Sequence, residues 1–227
     1  MIEVCLCVYK RIHRMDSILN DLLKQSNQNF NLNIWNNSNQ NLSFLHFPSE
    51  RIKIINSQVN SGSQARFWLA RETTENPIIF IDDDLALMPD FVEYNYEQYL
   101  KYGRNTILGW YTRRFNNEEY WDSIMLDSSR FSGVNVDYIG TGGMILDRWI
   151  IDQEETLQNI PDQYKLAEDL YLSYIARTKY KMNLVMIQKK CDYVADGNDQ
   201  FSGLIQYKRA AFRSLRKAGW QLLKDGI

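Results

Sequence analysis

From Ile2 to Asp84, short apolar runs alternate with helix-patterned stretches, and this alternation sharply narrows the folds open to the chain. Residues 2–8 read as a buried strand. Residues 14–25 put Ile18, Leu19, Leu22 and Leu23 at helical spacing. Residues 30–35 alternate apolar and polar side chains, which suggests a strand, and residues 51–55 suggest another. Ser61 to Glu72 reads as a helix. Pro77-Ile78-Ile79-Phe80-Ile81 is a short, wholly apolar strand that runs straight into Asp82-Asp83-Asp84. Strands and helices in this order predict an α/β domain with a mostly parallel central sheet flanked by helices. Ligands of such sheets bind at the carboxyl ends of the strands. Tyr9, Asn36 and the three aspartates are therefore expected along one sheet edge.

Beyond this point the pattern loosens. Residues 89–101 predict a helix and 106–110 a strand, whereas 113–133 read as an irregular polar and aromatic excursion. Residues 136–146 predict a strand interrupted by Gly140-Thr141-Gly142-Gly143. A helix is expected over 167–179, a strand over 183–187, a loop over 195–203 and a basic amphipathic helix over 204–223. That last helix carries Lys208, Arg209, Arg213, Arg216 and Lys217. Its basic side is read first as a solvated face. An acidic membrane surface, or a further domain of a longer parent chain, is the other reading. The whole is expected to be a single domain, 1–227, with one half over 1–104, a second over 105–203, and the basic helix over 204–227.

A chain of 227 residues can bury a large core without disulfides or a structural metal. Its formal net charge of −2 gives no basic excess for a phosphate backbone, so no nucleic-acid partner is expected. The three cysteines, Cys5, Cys7 and Cys191, have no paired spacing; Cys5 and Cys7 share one strand face and read as core. This usage fits a reducing compartment. No apolar run approaches the roughly 20 residues that span a bilayer. The N-terminal segment lacks a basic region and a cleavage site, so a cytoplasmic, membrane-free protein is expected.

The acidic run is the first candidate for chemistry. Three adjacent carboxylates at a strand end repel one another, which costs stability unless a cation relieves it. Mg2+ and Mn2+ favour oxygen ligands, commonly a few carboxylates with substrate phosphate oxygens. A solvated acidic turn is the plain alternative. A P-loop NTPase would need a Gly-rich loop ending in Gly-Lys-Ser/Thr, which this sequence lacks. An aspartyl-phosphate phosphatase would need an acid after the first strand, where Val8-Tyr9-Lys10 stands.

Taken in order, the segments become specific. Tyr9-Lys10-Arg11 follows the first strand, and Leu22-Leu23-Lys24-Gln25 closes the first helix. Trp35-Asn36-Asn37-Ser38 ends the second strand, and Asn60-Ser61-Gly62-Ser63-Gln64-Ala65-Arg66 comes next. Then come Ile81-Asp82-Asp83-Asp84, Pro89-Asp90-Phe91, Gly142-Gly143-Met144 and Glu168-Asp169-Leu170-Tyr171-Leu172. Over residues 2–180 this series resembles the GT-A glycosyltransferases of the family-2 type. Chain length and asparagine content also resemble those of glycosyltransferases encoded by large DNA viruses.

The resemblance implies a GT-A fold, a nucleotide-sugar donor that is by default UDP-linked, a glycan or other hydroxyl acceptor, and Mn2+ or Mg2+. It implies that Tyr9 packs on the nucleotide base and that Asn36, where the family usually has Asp, accepts a hydrogen bond from it. Arg66 would position the nucleotide or diphosphate. Asp82 and Asp83 would sit at the donor, with Asp82 near the ribose. Asp84, with Asp82, would ligate the cation. Gly142 and Gly143 would let backbone approach the donor sugar. Asp169 would be the general base of an inverting transfer, with Glu168 pointing elsewhere on its helix.

Trp110 and Tyr111 are candidates for stacking on an acceptor sugar, or for core. No histidine follows His46, so a late histidine ligand is lacking; Asp192 and Asp196 are the substitutes considered. The 195–203 loop has a composition that permits it to order over a donor. Two other functions remain open at this point: a sugar nucleotidyltransferase, disfavoured by the absence of glycine in Tyr9-Lys10-Arg11-Ile12-His13, and a non-catalytic carbohydrate-binding derivative.

Overall fold

Strand β1 (Ile2–Val8) is the axis of the central sheet. In the computed structural model, which describes residues 1–42, 46–153, 160–195 and 201–226, it pairs in parallel with β2 (Phe30–Asn36) on one side. Beyond β2 lies β3 (Ile52–Asn56), and on the other side of β1 lies β4 (Ile78–Asp82), both parallel. The register pairs Val8 with Asn36, Asn36 with Asn56, and Cys7 with Asp82. The strands therefore end level with one another, and the residues that follow share one edge.

Helix α1 (Met15–Leu23) returns the chain from β1 to β2, and α2 (Ala65–Arg71) from β3 to β4. They cover opposite faces. Val4, Leu6, Ile79 and Ile81 share an apolar cluster with Ile18, Leu19 and Leu22 of α1. Cys5, Ile78 and Phe80, of the other parity, share one with Phe67, Leu69 and Ala70 of α2. This is the two-sided burial that a run without polar alternation requires. Helix α2 begins at Ala65 rather than Ser61 because Gly62 stands at φ +71°, outside helical geometry.

The second half extends the same sheet. Its order is β3-β2-β1-β4-β11-β6-β12-β9, with β6 (Thr106–Gly109), β9 (Val134–Asn135), β11 (Met144–Leu146) and β12 (Asn183–Met186). β6 and β12 pair in parallel, while β11 runs against both β4 and β6, and β9 runs against β12. Helix α3 (Phe91–Tyr102) leads into β6, and α4 (Arg148–Ile151) follows β11, capped by Asp147, whose carboxylate accepts from the Trp149 N–H at 3.0 Å. Helix α5 (Glu168–Thr178) packs beneath the C-terminal helix α6 (Phe201–Lys217).

Two small sheets escape a reading by periodicity. β7 (Thr112–Phe115) pairs with β8 (Ser123–Ile124) and with β10 (Tyr138–Ile139), all antiparallel, so the excursion expected to be irregular is partly a ribbon. The strand expected over 136–146 is therefore two: β10 leaves for this ribbon and β11 joins the main sheet. β5 (Leu85–Leu87), directly after the acidic run, pairs with β13 (Cys191–Tyr193). Helix α6 starts at Phe201, inside the segment expected to be loop, and ends at Lys217 rather than 223; residues 196–200 of that segment lie outside the described residues.

Candidate active site

Where the strands end, a cavity of about 720 Å³ opens. Residues from β1, β4, α5 and α6, and from the loops between them, form its walls. The three aspartates of the β4 edge each have a different environment. Asp83 is buried; it accepts from the Tyr9 N–H at 3.1 Å and from Arg11 Nη1 at 3.0 Å. It thus ties the end of β4 to the end of β1. Burial pushes its carboxyl up, against the pull of Tyr9 and Arg11. Asp82 accepts from Arg66 Nη1 at 2.7 Å, and Arg66 also donates to the Thr141 hydroxyl. Asp84 lies 3.6 Å from Arg11 Nη1, and its buried Oδ1 has no hydrogen-bond partner among the described residues. Burial first, and then the neighbouring Asp82, raise its carboxyl to about 6.

Across the cavity the first turn of α5 supplies Glu168 and Asp169. Contrary to the sequence reading, Glu168 does not point away. It lines the cavity, accepts from Ser63 Oγ at 2.6 Å, and lies 3.5 Å from Arg66 Nε. Arg66 therefore bridges Asp82 and Glu168. Asp169 is held by α6: Lys208 Nζ donates to its Oδ2 at 2.7 Å, and Tyr138 Oη donates to the same oxygen at 2.5 Å. Its Oδ1 accepts from the Leu170 N–H at 2.8 Å. Burial works to raise the Asp169 carboxyl, but Lys208 and these hydrogen bonds outweigh it, and the group lies below the usual carboxylate range. Lys208, read from sequence as part of a solvated face, is buried and lines the cavity. Arg213 and Arg216 of the same helix face Glu119 and Glu118, so much of its basic character is met within the chain.

Of the residues singled out from sequence, Tyr9, Arg66, Asp82, Asp83, Asp84, Gly142 and Asp169 line the cavity. Asn36 does not. Its amide is buried and engaged: Nδ2 donates to Gln40 O and Asn56 Oδ1, and Oδ1 accepts from the N–H and hydroxyl of Ser38. The neighbouring Asn37 lines the wall instead, with its own amide bonded to Gly62 O, Trp35 Nε1 and the Ser61 N–H. Gly142 is tight against the acidic run, since a Cβ there would meet Asp82 Oδ2 at 2.7 Å. Gly143, at φ +82°, faces Trp110 Nε1 in the same way, behind the wall. Tyr111 and Tyr193 give the cavity an aromatic side; Trp110 is buried behind them, 5.2 Å from the Tyr193 ring. Asp192 is exposed and paired with Lys189, away from the cavity, and Asp196 lies outside the described residues.

The acidic edge suits a hard divalent cation. Among the described residues Asp84 Oδ1 is an oxygen without a partner, beside the Asp82 carboxylate, and five carboxylates line the cavity against the cations of Arg11, Arg66 and Lys208. Among the described residues, no three His, Cys, Asp or Glu side chains converge into a complete cage. A cation at Asp82 and Asp84 would then complete its oxygen shell from phosphate and water, as Mg2+ commonly does.

The model of glycosyl transferase family 2 matches residues 3–156. No curated protein matches the chain. Among solved structures, TarS 1–349 of S. aureus in complex with UDP is similar at 14% identity and a TM-score of 0.63, over 91% of this chain and 64% of that one. The same protein in complex with UDP-GlcNAc gives 14% and 0.62, over 88% and 60%. TarS itself gives 14% and 0.60, over 89% of this chain and 38% of its own. The chain thus spans less than two thirds of the proteins it resembles, and at this identity the likeness is one of fold.

Proposed function

The chain belongs to glycosyl transferase family 2, and from that membership we propose that it moves a sugar from a UDP-sugar to a hydroxyl of a glycan or other acceptor, with inversion at the anomeric carbon. One observation carries this reading: a single cavity holds the Asp82 and Asp84 carboxylates on one wall and the ionised Asp169 on the other. The UDP and UDP-GlcNAc complexes of the structurally similar TarS support a uridine donor.

In this mechanism Tyr9 offers an aromatic face to the base. Asp82 and Asp84 would hold Mn2+ or Mg2+, which when bound neutralises the charge that develops on the leaving diphosphate. Without such a charge the carboxylate-rich wall would repel the donor. The acceptor oxygen bonds to the anomeric carbon as the bond from that carbon to the diphosphate breaks. Asp169 takes the acceptor's proton, and the bond electrons leave with the diphosphate. A carboxylate held below its usual range is a weak base toward a free alcohol. It suffices once the attacking oxygen has begun to bond and its proton has become acidic. The aromatic side formed by Tyr111 and Tyr193 suits the apolar face of a sugar ring.

The test is UDP release from UDP-GlcNAc, UDP-glucose and UDP-galactose with Mn2+, in wild type and Asp169→Asn. The variant is expected to lose about 10²–10⁴-fold in kcat with little change in donor affinity. Undiminished turnover in Asp169→Asn would remove the carboxylate from its role as base.

A further inference from the structure

We propose that Lys208, carried by α6, is a positioning residue for Asp169: together with Tyr138 it fixes the carboxylate in its charged form and leaves one lone pair turned to the cavity. The proposal rests on Asp169 acting as base. A carboxylate has about four lone-pair positions. Among the described residues three are filled, by Lys208 Nζ at 2.7 Å, Tyr138 Oη at 2.5 Å and the Leu170 N–H at 2.8 Å. Lys208 Nζ also donates to Tyr138 Oη at 3.1 Å, so the three groups close a triangle and the carboxylate cannot rotate without breaking it. The remaining position is the one an acceptor hydroxyl can meet.

Packing alone does not explain this lysine. The side chains of Lys208 and Asp169 are 9% and 7% exposed, and taking an ammonium this far out of water is costly. An apolar residue would seat α6 equally well, as Phe212 does one turn on, where its ring lies 4.1 Å from that of Phe115. Leu204 and Lys208, also one turn apart, both face the cavity, so α6 is a wall of the site. Outward-facing Arg209 and Arg213 pair with Glu119 instead. Among the described residues the charged and titratable groups around Asp169 are Lys208 from α6, Tyr138 from β10, Tyr120 from the turn between β7 and β8, and Glu168 beside it on α5, itself engaged with Arg66 and Ser63.

The experiment compares wild type, Lys208→Met, Tyr138→Phe and Asp169→Asn. The Asp carboxyl carbons are labelled with 13C and followed by NMR against pH, with Asp169→Asn identifying the Asp169 resonance. The titration of Asp169 is expected to move up by about one pH unit or more in Lys208→Met, and by less in Tyr138→Phe. In the UDP-sugar turnover assay, kcat of Lys208→Met should fall about tenfold or more. Its acid limb should shift by the same amount as the resonance, with KM for the donor little changed. A merely structural ion pair would lower thermal stability and leave kcat and the acid limb in place. An unmoved resonance or acid limb in a folded Lys208→Met, while Asp169→Asn is inactive, overturns the positioning role and leaves the base reading standing. Full turnover in Asp169→Asn overturns both. Should Lys208→Met fail to fold, Tyr138→Phe carries the same comparison, and an unmoved resonance there decides against the proposal.

Discussion

Gly142 lies where a single methyl group would be felt by the acidic run, because a Cβ would come within 2.7 Å of Asp82 Oδ2. The displaced carboxylate is also the partner of Arg66, which holds Glu168 on the opposite wall. Gly142→Ala is therefore expected to weaken Mn2+-dependent UDP binding about tenfold or more while costing about 1–3 kcal/mol of stability. Calorimetric titration and urea unfolding separate the two effects. Individual residues also show where sequence reading falls short. Asp82 and Asp84 are legible because an apolar strand ending in carboxylates has few uses. The resemblance puts Asn36 at the base, but one backbone step decides which of Asn36 and Asn37 meets the cavity. The Ser38, Gln40 and Asn56 groups that occupy Asn36 lie up to twenty residues from it in sequence, and no local pattern announces them.

Among the elements, the first four strands and their helices follow directly from apolar periodicity, because each buries its apolar residues against the sheet and the period shows in the sequence. The ribbon of β7, β8 and β10 does not, since its strands are two to four residues long and its stability comes from pairing across the excursion. The role of α6 is equally hidden: basic residues on an amphipathic helix read as a solvated face until Glu118, Glu119 and Asp169 are brought to it by the fold. The contact between α5 and α6 has a pH signature. Because the Asp169 carboxyl is depressed in the fold, its ionised form stabilises the native state above the ordinary carboxylate pKa. That contribution is lost as pH falls through the depressed value. The difference in urea midpoint between wild type and Asp169→Asn should accordingly be largest near neutrality and shrink below about pH 4. A difference that grew on acidification would contradict the ionised pair.

For the whole molecule, the arrangement is a relay of charges from one half of the chain to the other. Asp83 and Arg11 join the ends of β4 and β1, Arg66 links Asp82 to Glu168, and Lys208 links Asp169 to the C-terminal helix. The proposed donor site and the proposed base thus share one frame, although more than eighty residues of sequence lie between Asp82 and Asp169. Among the described residues no helix is long and apolar enough to cross a membrane. On the function proposed, this frame binds a nucleotide diphosphate through a cation at Asp82 and Asp84. The most direct measurement is calorimetric titration of UDP, GDP and UDP-sugars, with Mn2+ and with EDTA, into wild type and Asp84→Ala. Mn2+-dependent binding of UDP that disappears with EDTA and in Asp84→Ala is the expected result. Nucleotide binding indifferent to both the cation and Asp84, or no nucleotide binding at all, would contradict it and return the acidic run to the role of a strand end.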